Sequence, residues 1–84
     1  RLERRKVTAE LKKFAMSQKE VNAARFNEPV FYLFLDADND LDTTRDWSAR
    51  TPGVLYFKNR DIAQEAVEAV GEERIKKYYF GLED

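Results

Sequence analysis

Six consecutive apolar residues, Val30-Phe31-Tyr32-Leu33-Phe34-Leu35, stand between Pro29 and the turn-forming cluster Asp36-Ala37-Asp38-Asn39-Asp40. The run has the length of a strand and is too short for a buried helix. Three of its residues are aromatic and Val30 is β-branched, and it is bounded by Pro and Asp/Asn. Both faces of its two-residue period are apolar, which predicts a central strand covered on two sides. The cover must come from within an 84-residue chain. That length makes one domain with one thin core and leaves no room for a deep cleft between lobes.

The rest of the chain supplies candidates for that cover. A second strand is expected from about Leu41 to Trp47, polar and Thr-rich as suits a strand with one wet face; the alternative is an irregular arm. Thr51-Pro52-Gly53 suits a type II turn, and Val54-Leu55-Tyr56-Phe57 reads as a third strand. The segment 1–27 is helix-favouring. Val7, Leu11, Phe14 and Ala15 make one apolar stripe on a helix from about Leu2 to Met16. Ser17-Gln18-Lys19-Glu20 matches a capping box for a second short helix that buries Val21, Ala24 and Phe26, unless the first helix runs straight through. In the segment 60–80, Asn59 or Asp61 can cap a helix carrying Ile62, Ala63, Ala66, Val67 and Val70 on one side. Gly71 ends it, and a last short helix runs from Glu72 to Tyr79. The fold class is therefore α+β: a three-stranded antiparallel meander packed by an N-terminal helix and one to two C-terminal helices. Val30, Phe31, Leu33, Leu35, Leu55, Phe57, Ile62, Ala66, Val67 and Val70 are the expected core. The apolar stripe of the first helix is expected to fold back on the sheet face that the Ile62–Val70 helix leaves open, giving a monomer or a weak dimer.

Composition narrows the chemistry. There is no cysteine and no histidine, so the usual ligands of zinc, haem and iron–sulfur clusters are missing, as is a general base that titrates near pH 7. No disulfide can form, which points by default to the cytoplasm. No apolar run reaches the length of a membrane span. The three glycines sit at turns and helix ends, so no glycine-rich phosphate loop exists. Ser17 and Ser48 lack an activating motif. The expectation is a chain that is not an enzyme and needs no cofactor or metal. It opens on Arg1 rather than Met, which predicts a piece of a longer protein.

Three clusters invite a sharper reading. Asp36, Asp38, Asp40 and Asp42 alternate as in the first half of an EF-hand loop, but Leu41 stands where that loop needs Gly and Trp47 where it needs Glu. The pattern predicts an acidic hairpin turn without useful Ca²⁺ affinity. Residues 1–13 carry Arg1, Arg4, Arg5, Lys6, Lys12 and Lys13 against Glu3 and Glu10. This local surplus of four positive charges lies in a chain whose net charge is -1. Arg1, Arg4, Arg5, Lys12 and Lys13 are the candidate contacts to nucleic-acid phosphates or to a protein partner, although a solvated helix face has the same composition. Tyr32, Phe34, Trp47, Tyr56 and Phe57 could stack bases if exposed on a sheet, but in so small a domain they are expected in the core.

The C-terminal run YFKNRDIAQEAVEAVGEERIKKYYFG carries a family likeness. Tyr56-Phe57 closes a strand, Ala63 and Ala66 are paired small residues in a helix, Gly71-Glu72 follows, and Ile75 to Phe80 form a hydrophobic-Lys-Lys-Tyr-Tyr-Phe ending. Over residues 54–81 the chain resembles uncharacterised small proteins of prophages and other mobile elements of Gram-positive bacteria. The resemblance implies a phage-associated accessory protein and no functional residues. The function expected from all of this is a non-enzymatic binding module acting by protein–protein contacts. The alternative is a nucleic-acid-binding accessory protein that uses the basic first helix.

Overall fold

The computed structural model describes residues 2–23, 28–46, 51 and 53–82. The apolar run forms β1 (Val30–Leu35), which pairs with β2 (Leu41–Asp46) as an antiparallel hairpin in the register Val30↔Asp46 to Leu35↔Leu41. Asp36 closes the turn between them. Its N–H donates to the Asp40 carbonyl at 3.0 Å, and its Oδ1 accepts the N–H groups of Asp38 at 2.8 Å and Asp40 at 2.9 Å. Asn39 takes a left-handed φ of 63°, which Asn tolerates better than most residues.

The expected third strand does not form: among the described residues the sheet has two strands. The segment Val54–Phe57 meets β1 at a single bridge, Phe31↔Phe57, whose two backbone hydrogen bonds measure 3.0 and 2.7 Å. One step further along an antiparallel ladder, Leu55 would pair with Leu33. That pairing is not made. On the far side of the segment, the Tyr56 carbonyl accepts the Met16 N–H at 2.7 Å. The segment is thus tied to β1 at Phe57 and, on its far side, to Met16.

Alternation along β1 builds two cores. Phe31 and Leu33 point to the side where α1 (Leu2–Lys12), α3 (Arg60–Val70) and a π-helical turn (Ile75–Tyr79) pack. Val7, Leu11, Phe57, Ala63, Ala66 and Ile75 are sealed there, each at most 1% exposed. Val30 and Tyr32 point to the other side, covered by α2 (Gln18–Ala23) through Val21 and by Met16, Val54 and Tyr56. The first helix does fold back, but against α3 and the π-helical turn; the opposite face goes to α2 and the extended segment. Of the expected core, Val30, Leu33, Phe57, Ala66, Val67 and Val70 are buried, whereas Phe31, Leu35, Leu55 and Ile62 are half-buried.

Local signals explain the helix limits. α1 stops at Lys12 rather than Met16, because the Phe14 and Ala15 N–H groups both turn to the Leu11 carbonyl and that of Met16 leaves for Tyr56. The Ser17–Glu20 capping box is made reciprocally: Glu20 N–H donates to Ser17 Oγ at 3.1 Å and Ser17 N–H to Glu20 Oε1 at 2.9 Å. Asn59 caps α3 by accepting the Ile62 N–H at 2.8 Å, and Gly71 ends it at a φ of 105° that favours glycine. The expected final helix begins as α4 (Glu72–Arg74) and widens into the π-helical turn, with the Phe80 N–H donating to the Ile75 carbonyl at 3.1 Å. Ala24, Phe26, Trp47 and Pro52 lie outside the described residues.

Candidate binding surfaces

The basic residues of the first helix do not form one cluster. Arg4, Thr8 and Lys12 recur every four residues on one side of α1, with Arg5 and Ala9 beside them. Together these five line a shallow depression of about 350 Å³ with Thr8 and Ala9 as its small floor. Arg4, Arg5 and Lys12 are exposed and have no ion pair among the described residues. The Thr8 hydroxyl is engaged, donating to the Arg4 carbonyl at 2.8 Å. Lys13 is exposed in the turn after α1, seven residues from Lys6, which places it on a neighbouring flank. Arg1 lies outside the described residues.

The acidic residues of α1 are on the other flank and are neutralised there. Glu3 sits 3.4 Å from Lys6. Glu10 receives both terminal nitrogens of Arg74, at 3.2 and 2.7 Å. This fork holds the Glu10 carboxyl below its ordinary range and raises Arg74 in return. Arg74 was not among the residues singled out from sequence. It lies 64 positions away, and no local pattern connects the two.

A second concavity opens between α2 and β1. Met16, Ala23, Pro29, Val30 and Phe31 form its apolar wall, and Glu20, Glu28, Lys58 and Asn59 its polar rim, around about 620 Å³. Four separate segments contribute to it, so no motif announces it.

The acidic turn brings carboxylate oxygens of Asp36, Asp38 and Asp40 within 4.8 Å of one another. Asp36 is engaged with backbone N–H groups, and Asp40 lies 4.0 Å from the Lys76 ammonium. That ammonium is also 3.2 Å from Glu72 and 3.9 Å from Glu73, and its pKa is raised, chiefly by the Glu72 hydrogen bond. The Lys76 ammonium thus sits beside the turn, nearer to Glu72 than to Asp40. Nor do the described aromatics form a stacking platform. Tyr56 and Phe57 are buried, Phe34 is half-buried, and Tyr32 meets Tyr56 edge-on at 6.1 Å. The outer edge of β2 is blunted at Thr43, whose N–H donates to Asp42 Oδ1 and whose carbonyl accepts from Arg60 at 3.4 Å.

No family model, curated protein or solved structure matches the chain. Among the described residues no helix is long and apolar enough to cross a membrane.

Proposed function

We propose that the chain is a non-enzymatic accessory module that acts through protein–protein contacts, with the groove between α2 and β1 as the contact site. The groove supports this reading because an apolar wall inside a charged rim is the anatomy of a partner-binding surface. Met16 adds a side chain that adapts to different apolar shapes. The lack of histidine and cysteine argues for binding rather than bond chemistry. The resemblance of residues 54–81 to prophage and mobile-element proteins supports a phage-associated role, and the cysteine-free composition supports the cytoplasm. We take the working form to be a monomer or a weak dimer.

Ala23 is exposed and lines the groove, so Ala23→Arg should block it without disturbing the core. The test captures partners from host lysate on the immobilised chain and repeats the binding with the purified partner. A partner held equally at low and high salt by the parent, and lost at least ten-fold with Ala23→Arg, is the expected result. Retention unchanged by Ala23→Arg would remove the groove from the proposal.

A further inference from the structure

We infer that the exposed face of α1 docks the sugar–phosphate backbone of a nucleic-acid duplex, held by Arg4, Arg5 and Lys12. The inference is independent of the groove and starts from sign. A chain with a net charge of -1 gives no global attraction to phosphate, so the attraction must be local. The fold makes it local by segregating charge. On α1, Glu3 is turned to Lys6 and Glu10 to Arg74, both away from the face that carries Arg4, Arg5 and Lys12. The exposed carboxylates Asp61, Glu65 and Glu68 are gathered on α3 instead.

Shape and chemistry agree with a phosphate chain. Arg4 to Lys12 spans about 12 Å of helix, and each strand of a duplex carries one phosphate for about every 3.4 Å of the duplex axis, so each of the three cations can reach a phosphate. Between the cations the floor consists of Thr8 and Ala9, small enough for a backbone to approach. The face offers no aromatic ring, so it lacks the stacking contacts that favour single strands. It also lacks a row of large apolar residues for insertion into a lipid surface; among the described residues the exposed large hydrophobic is Leu2, at the start of the helix. With no side chain placed to read base edges, binding is sequence-independent.

The test is fluorescence anisotropy of a labelled 20-base-pair DNA duplex titrated with the full chain over a salt series. Three phosphate contacts give a slope of about -2.7 in log K against log salt, or roughly 40-fold weaker binding between 50 and 200 mM salt. Arg5→Ala with Lys12→Ala should cut the slope to about -0.9. Lys19→Ala with Lys77→Ala, both exposed and outside either binding surface, removes the same charge elsewhere and should leave it near the parent value. The absence of duplex binding at 50 mM salt, or an equal loss in both double variants, overturns the inference. So does at least ten-fold tighter binding to a labelled single strand of the same length, or binding to phosphatidylserine vesicles without binding to the duplex.

Discussion

Phe57 carries more of this fold than any neighbour in sequence: it is 1% exposed, bridges to Phe31 through its backbone and packs its ring among α1, α3 and β1. Replacing it with alanine leaves a ring-sized void that a thin core cannot close. Phe57→Ala should cost about 3–5 kcal/mol, a large fraction of the stability of a small domain. Urea unfolding should show the loss as a shift of midpoint at constant slope; a midpoint near that of the parent would remove Phe57 from the centre of the core. A second residue-scale effect concerns acid. The Glu10 carboxyl is lowered in the fold, by Arg74 above all. A depressed carboxylate contributes stability that is present above its unfolded pKa and is lost as pH falls through the folded value, here below the ordinary 4.5. Arg74 stays charged throughout. The urea midpoint of the parent should therefore fall on acidification below about pH 4.5, and Glu10→Gln should make that fall shallower. Glu20, lowered by its capping bonds to Ser17, leaves a remaining slope in the variant.

At the scale of elements, what could be read from sequence were features fixed by neighbours in the chain. β1 is bounded by Pro29 and Asp36, the α2 cap by Ser17 and Glu20, and α3 by Asn59 and Gly71; each signal lies within a few residues of the feature it sets. The third strand failed for the converse reason. Val54–Phe57 has every local mark of a strand, but it meets β1 only at the Phe31↔Phe57 bridge, and its other edge is tied to Met16, some forty positions back. The α1 terminus is likewise set by Tyr56, which accepts the Met16 N–H. The π-helical turn has no local signature in Ile75–Tyr79; an α-helix and a π-helix would both turn Ile75 inward. The same division runs through the binding surfaces. Arg4, Arg5 and Lys12 were legible because a surplus of basic residues within thirteen positions is a local fact. The groove was not, since it is assembled from segments as distant as Met16 and Asn59. The clearing of Glu10 from the basic flank was not legible either, since only the packed fold brings Arg74 beside it.

At the scale of the whole molecule, α1 is a structural wall as well as a surface. Val7 and Leu11 are 0% exposed and share their core with Ile75 and α3. Removing residues 1–16 should therefore unfold the chain rather than release a folded monomer, and sedimentation with circular dichroism would distinguish the two outcomes. A well-folded truncated monomer would mean that α1 merely decorates the domain. The full chain should sediment as a monomer or weak dimer, since its apolar stripe is consumed internally. The pairing of Val7 with the neighbourhood of Ile75, and of Glu10 with Arg74, also sets an order in time. A ribosome makes about 5–20 residues per second, so the 64 positions separating Glu10 from Arg74 take about 3–13 s to appear. For that interval the stripe on α1 has no permanent partner and is open to aggregation or to a chaperone. Until the turn around Ile75 has been made, α1 cannot be put away.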